Sequence, residues 1–326
     1  MRELVLAARP RGVPQATDFE LREAAERAPG DGELLVRNVY VSVDPYMRSR
    51  MTGVRTYVDG YELGQPVDGG AVGRVVTSGD PGFREGDWVL SRLGWRDGGI
   101  VRAASARRLD PDVAPPSTAL GVLGMPGLTA WVGLVDIGRV EAGETIYVSG
   151  AAGAVGSAAA QIAKLKGLHV IGSAGTPEKV EWLRSLGIEA FDYRETEAAE
   201  ALADGIDVYF DNVGGAQLEA SLAALRPFGR VVACGAISRY NDERAEPGPR
   251  NLFLMVTKRL RLQGFIVSDH DDRYRDFLAE VAPWVRDGSL RYRETIVEGL
   301  ERAPEAFAGL FRGDNVGKML VRVGPD

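Results

Sequence analysis

The chain is poor in the residues that usually hold zinc. It contains one cysteine, Cys234, and two histidines, His169 and His270. A four-cysteine structural zinc site is therefore impossible, and a Cys/His catalytic site would consume almost the whole supply. No disulfide can form within the chain. Long apolar runs are also missing. No stretch reaches the roughly eighteen apolar residues of a membrane span, and the N-terminal "MRELVLAARPRGVP" has no hydrophobic signal core. A cytoplasmic protein without a membrane segment is expected. Basic excess is the third absence: 39 Lys and Arg stand against 46 Asp and Glu, a net charge of −7. That balance lacks the basic face of a general nucleic-acid binder, but it leaves room for a local basic pocket.

What is present has the make-up of an ordinary folded protein, 45% apolar and 26% charged. At 326 residues the chain exceeds the length that one hydrophobic core usually serves, so two domains are expected. The first third is β-rich. "ELLVRNVYVSVD", "AVGRVVTSG" and "GDWVLSRLGW" are short Val-rich runs separated by Gly, Asp and Pro, as in a barrel or sandwich.

After Pro115-Pro116 the pattern changes. "ETIYVSG", "HVIGSAG", "DVYFDNVGG", "GRVVACGA" and "RLRLQGFIVSD" read as strands. Between them lie helical stretches: "AVGSAAAQIAKLKG", with Val155, Ala159, Ile162 and Leu165 along one face; "PEKVEWLRSLG"; and "AQLEASLAALRPFG". Strands alternating with helices predict an α/β fold with a doubly wound parallel sheet. The tail breaks that rhythm, with a helix near Ala303 to Phe311 and a last strand at Lys318 to Val323, and is expected to return to the first domain. The polar stretch "SRYNDERAEPGPRN" is expected to be a loop beside a site.

Gly150, Gly153 and Gly156 fall between a strand and a helix. Their spacing is GxxGxxG, so the usual dinucleotide pattern fails. The physics survives: small residues let a backbone turn tightly and approach a pyrophosphate at a helix N-terminus. About twenty residues on, an NAD site places an acidic residue on the ribose. Here the strand runs into "GSAGTPEK". Thr176 can cap a helix that starts at Pro177, and Lys179 offers a counter-charge where no carboxylate would repel a 2′-phosphate. This favours NADP over NAD; the alternative is that Lys179 is an ordinary surface lysine. Asn212 and the run Cys234 to Ser238 fall at strand carboxyl ends, where such sheets bind ligands. Cys234 reads as a small buried hydrophobe, His169 as lining or capping the second strand, and His270 as a solvated loop residue.

Several segments together resemble a known family: "VSVDPYMRSRM", "ELGQPVDGGAVGRVV", "LGMPGLTAWVGL", "GAAGAVGSAAAQIAKLKG", "YFDNVGG", "CGAISRYN", "GFIVSD" and "GDNVGK". They are similar to the zinc-independent medium-chain dehydrogenases/reductases that include prostaglandin, alkenal double-bond and curcumin reductases. The resemblance spans essentially the whole chain. It implies a GroES-like β-rich catalytic domain of residues 1–117 with 292–326, and a Rossmann NADP-binding domain of residues 118–291. It also implies a homodimer that uses NADP(H), without metal, to reduce the C=C bond of a small hydrophobic enone or enal.

By motif match the cofactor residues are Gly153, Ala154, Val155, Gly156, Lys179, Tyr193, Asn212, Cys234, Gly235, Ala236, Ile237, Ser238, Tyr240, Phe265, Ile266, Val267 and Asn315. Hydride transfer to a β-carbon builds charge on the carbonyl oxygen, so the site needs a hydrogen-bond donor there. Tyr46 and Arg48 are the catalytic candidates of the first domain. Tyr46 reads equally well as an aromatic wall, whereas Arg48 reads better as a structural ion pair, with Asp44 as a nearby partner. Two positions depart from relatives: Thr257 stands where mammalian members have an active-site tyrosine, and Arg96-Asp97-Gly98-Gly99 replaces an acidic–aromatic pair. Both bear on substrate identity. The competing readings are a quinone reductase on the same fold and a non-catalytic NADPH-binding redox sensor.

Overall fold

The computed structural model describes residues 1–244 and 246–325. Two compact units divide the chain, Met1–Leu120 with Glu294–Asp326 and Gly121–Arg293.

In the first unit β1 (Arg2–Leu6) pairs antiparallel with β2 (Phe19–Glu23). A larger sheet uses β3 (Glu33–Ser42), β4 (Ala71–Ser78), β5 (Trp88–Ser91), β6 (Gly98–Arg102) and β7 (Arg107–Leu109). Its centre is β3, which is buried on both faces. Leu34, Val36 and Val41 face a cluster with Trp95, Met47 and Phe307, whereas Val39 and Tyr40 face another with Trp88 and Leu120. Two-sided burial explains why "ELLVRNVYVS" reads as a nearly continuous apolar run. The short helix α1 (Met47–Arg50) follows β3 directly and presses Met47 into the first cluster.

The second unit holds a wholly parallel sheet of β8 (Thr145–Val148), β9 (His169–Ala174), β10 (Glu189–Asp192), β11 (Ile206–Asp211), β12 (Leu225–Ala233) and β13 (Arg261–Gly264). Their order is β10-β9-β8-β11-β12-β13. This is the doubly wound α/β arrangement, with the reversal of strand order between β8 and β11. Its helices are α2 (Met125–Val132), α3 (Ala154–Leu165), α4 (Pro177–Ser185), α5 (Ala198–Ala201), α6 (Gly215–Ala224), α7 (Leu254–Thr257) and α8 (Tyr274–Arg286).

The tail adds β14 (Glu294–Glu298), α9 (Ala303–Arg312) and β15 (Lys318–Arg322). β14 runs parallel to β15, which pairs antiparallel with β3. The tail therefore completes the first unit's sheet.

Some local expectations change. Leu165 is 39% exposed, so the buried face of α3 is set by Ala158, Ala159, Ile162 and Ala163 instead. Small side chains there let the helix lie close to the sheet. α6 stops at Ala224, and "LRPFG" begins β12, because Pro227 has no N–H to continue a helix. β13 ends at Gly264, which leaves Phe265 to Val267 beyond the strand. The expected loop over residues 238–251 includes residue 245, outside the described residues.

Candidate cofactor and active site

The turn after β8 is built around backbone proximity. Gly150 takes φ +59°, a left-handed conformation that favours glycine. A Cβ on Gly156 would lie 2.9 Å from both Ala151 Cα and the Gly150 carbonyl carbon, and closer still to the Gly150 oxygen. Gly153 is the N-cap of α3, and no side chain caps that helix. Its first N–H groups, from Ala154, Val155 and Gly156, thus face the carboxyl edge of the sheet without a side-chain partner, as anion-binding helix ends do.

The stretch after β9 behaves as its sequence predicts. Thr176 Oγ1 accepts from the Lys179 N–H at 3.4 Å, and Pro177 is the first helical residue of α4. Lys179 is half-buried in the first turn. The Tyr193 ring packs over Gly175, where a Cβ would meet its hydroxyl at 2.7 Å. Arg194 Cζ stands 5.9 Å from the centre of the same ring. No carboxylate ends β9.

At the switch point the ends of β8 and β11 are tied together. Asn212 Nδ2 donates to the Ser149 carbonyl at 2.7 Å, and its N–H donates to Ser149 Oγ at 3.0 Å. Asp211 is 2% exposed and accepts from Tyr209 Oη at 2.6 Å, Gly214 N at 2.7 Å and Val213 N at 2.9 Å. Burial pushes its carboxyl up, while those donors pull it back. The Asp211 carbonyl accepts from the N–H groups of Cys234 and Gly235, at 3.0 and 2.9 Å. Ile237 N donates to the Asn212 carbonyl, Ser238 Oγ donates to the Val213 carbonyl at 2.6 Å, and Ala236 N donates to Tyr240 Oη at 3.3 Å. Residues 234–240 are thereby folded onto 211–213. This polar network, with Ser149, Tyr209 and Asp211 inside it, is not legible as a site in "DVYFD". Its one sequence signal is a carboxylate ending an apolar strand.

Other residues take plainer places. Cys234 is half-buried rather than fully buried, and desolvation pushes its thiol up to about 12, aided by Asp211, which keeps it protonated at neutral pH. Phe265 is half-buried, edge-on to His270 with ring centres 6.3 Å apart, and Ile266 and Val267 follow it. His270 is thus partly covered, with Asp136 at 4.0 Å, rather than fully solvated. His169 begins β9 and meets Glu189 at 3.1 Å. Thr257 is exposed at the end of α7.

In the first unit Tyr46 is the N-cap residue of α1, and its hydroxyl has no hydrogen-bond partner among the described residues. Burial, then the Asp44 carboxylate, push its phenol up against the pull of the Arg92 and Arg50 guanidiniums. Like any tyrosine it is a protonated donor at neutral pH, and this push extends that state to higher pH. Arg48 is buried and donates to the carbonyls of Pro10 and Gly12, at 3.3 and 3.0 Å. The Asp44 carboxylate is taken instead by Lys318 Nζ at 3.1 Å and by Ser42 Oγ. Arg48 thus acts as a tether for the 10–12 loop. Asn315 also belongs to this unit, with Nδ2 donating to the Gly317 carbonyl at 2.7 Å.

Residues 2–109 match the model for the N-terminal domain of oxidoreductases, and residues 154–283 match the model described as zinc-binding dehydrogenase. The chain is 44% identical to the NADPH-dependent curcumin reductase of Escherichia coli, with 100% of this chain and 97% of that protein covered. It is 42% identical to the NADP-dependent 2-alkenal reductase of Nicotiana tabacum, over 96% and 94% of the two chains. The crystal structure of CurA from Vibrio vulnificus in complex with NADPH superposes with a TM-score of 0.94 at 41% identity, over 100% of both chains. The chain belongs to the zinc-independent medium-chain dehydrogenase/reductase family. Escherichia coli quinone oxidoreductase, at 21% identity and a TM-score of 0.79, shares the fold alone.

The zinc in one model's description does not fit the donor set of this member. Cys234, His169 and His270 do not converge, and no three His, Cys, Asp or Glu side chains among the described residues form a metal-holding group. The glycine turn and the Thr176–Lys179 corner do fit a dinucleotide phosphate.

Proposed function

We propose that this chain, an NADP-dependent oxidoreductase by family, reduces the C=C bond conjugated to the carbonyl of hydrophobic enones and enals. The observation that carries the cofactor half is the β9 corner, where Lys179 and Tyr193 flank a strand end without a carboxylate. Tyr46 carries the substrate half, as a half-buried phenol whose hydroxyl is uncommitted among the described residues.

NADPH, when bound, supplies the hydride. The protein's part is to hold and polarise. The uncapped N–H groups of α3 bind the pyrophosphate, and Lys179 compensates the 2′-phosphate. Asn212 and residues 234–240, fixed by Asp211 and Ser149, form the floor at the switch point. Tyr46 donates a hydrogen bond to the carbonyl oxygen as negative charge develops, the role that a metal or oxyanion hole fills elsewhere. In this reading residues 1–117 with 292–326 form the catalytic domain, residues 118–291 bind the cofactor, and the protein works in the cytoplasm.

A homodimer is part of the proposal. β13 is an edge strand, and Phe228, Phe253, Val256 and Leu262 form exposed apolar surface on and beside β12, α7 and β13. An open edge flanked by apolar side chains is a template for pairing with a second copy.

The test follows NADPH absorbance with a panel of enones, enals and quinones. The reading expects enones and enals to be turned over in preference to quinones. NADPH binding without turnover of any acceptor would leave only the non-catalytic sensor.

A further inference from the structure

Two of the motifs quoted from the sequence, "SVDPYMR" and "GDNVGK", meet inside the first unit through residues with no role so far. Lys318, from the second motif, begins β15 and is 4% exposed. Its ammonium donates to the Val43 carbonyl at 2.9 Å, to Asp44 Oδ1 at 3.1 Å and to the Met319 carbonyl at 2.8 Å. All three N–H donors are engaged. The other Asp44 oxygen accepts from Ser42 Oγ. The end of β3 and the turn into α1 are thus held from a strand 274 residues later.

This clamp lies directly before Tyr46. The Asp44 carbonyl accepts from Met47 N at 3.0 Å, and the Tyr46 carbonyl accepts from Ser49 Oγ at 2.8 Å, so the turn carrying the phenol continues rigidly from the clamped residues. Position is one consequence and charge the other. A carboxylate near a half-buried phenol disfavours negative charge on it, and an ammonium paired with that carboxylate offsets the field. Other charged or titratable groups around the two residues are Glu294 on β14 and Tyr61 near Lys318 and Asp44, and Arg50, Arg92 and Asp68 near Tyr46.

We propose that Lys318 is a positioning residue for the reduction, holding the turn that carries Tyr46 and partly offsetting the charge of Asp44 that acts on the phenol. The inference rests on the reading of Tyr46 as the donor to the substrate carbonyl. Nothing in it involves the cofactor contacts, so it moves kcat and leaves the KM for NADPH in place.

The experiment compares Lys318→Met, Asp44→Asn with Lys318→Met, and Tyr46→Phe in steady-state enone reduction from pH 5.5 to 9. In Lys318→Met the buried carboxyl keeps its charge without a counter-ion, and such a group discharges by binding a proton as the pH falls. The expected result is a kcat about tenfold lower at high pH that recovers toward low pH, with the NADPH KM unmoved. The double variant should lose that pH dependence and exceed the single variant at pH 9. A kcat that is undiminished, or lowered equally at every pH, overturns the inference, because a merely structural role gives no such profile. If Lys318→Met does not fold, Asp44→Asn is compared with the double variant, which removes both charges of the buried pair. Retaining the cation should then give the higher kcat, and equal values overturn the inference. Tyr46→Phe separates the two levels: an unchanged kcat there sinks the donor reading itself, whatever Lys318 does.

Discussion

Gly156→Ala is the sharpest single perturbation of the glycine turn. A methyl at this position would stand 2.9 Å from Ala151 Cα and the Gly150 carbonyl carbon, where ordinary contact begins at 3.4 Å. The obstructing atoms are backbone, so no side chain can rotate away, and the turn must retreat by about 0.5 Å or more. Overpacking of this kind costs roughly 1–3 kcal/mol. Alanine returns about 0.5–1 kcal/mol by restricting the unfolded chain, since Gly156 does not need a left-handed backbone. The net expectation is a loss of up to about 2.5 kcal/mol, seen as a Tm lower by up to about 10 °C for a unit of this size. Because the retreating groups are the ones proposed to bind the pyrophosphate, NADPH affinity should fall by about tenfold or more, measured by nucleotide fluorescence titration. A variant with wild-type Tm and wild-type NADPH affinity would refute the close approach that the turn is argued to serve.

Other perturbations separate the remaining parts of the account. Lys179→Ala should lower kcat/KM for NADPH by about 10–100-fold and leave that for NADH nearly intact, so an unchanged ratio would remove Lys179 from the 2′-phosphate site. Phe253, 72% exposed, lies on the apolar surface proposed to pair with a second copy; Phe253→Asp should give a monomer by light scattering, and an unaltered mass would move the proposed interface elsewhere. Glu33 is held down to about 2 by the Arg27 guanidinium and then the Gly30 N–H. It therefore contributes stability above its ordinary value of 4.5 that is lost as the pH falls toward 2. Glu33→Gln should flatten that stretch of the acid-unfolding curve, and an unaltered slope would show the pair to be inconsequential.

What the sequence makes legible follows from which physics is local. A glycine turn between an apolar strand and a helix, and a Thr-Pro helix start, are set by neighbouring residues, and both stand where their residue types require. Five strands of the parallel sheet, β8, β9, β11, β12 and β13, are legible because each announces itself within about ten residues, but the four-residue edge strand β10 and the helix α8 are not legible. β14 is not, because "ETIVE" is a strand only through its partner β15, and half of its residues' environment comes from elsewhere. Leu165 misleads because helical periodicity says where a side chain points, and the packing of Ala and Gly decides which side is covered. The Lys318–Asp44 clamp and the Ser149–Tyr209–Asp211 network lie beyond any pattern of spacing. Their partners come from separate segments, and nothing in an Asp within "SVDPY" or "YFDN" names the residue that answers it.

The central claim is hydride delivery to a conjugated carbon. Its most direct measurement is NMR of the product formed from an enone and NADPH carrying deuterium on the transferring carbon. The account predicts a saturated ketone with one deuterium on the β-carbon. An allylic alcohol with deuterium on the carbinol carbon would contradict it.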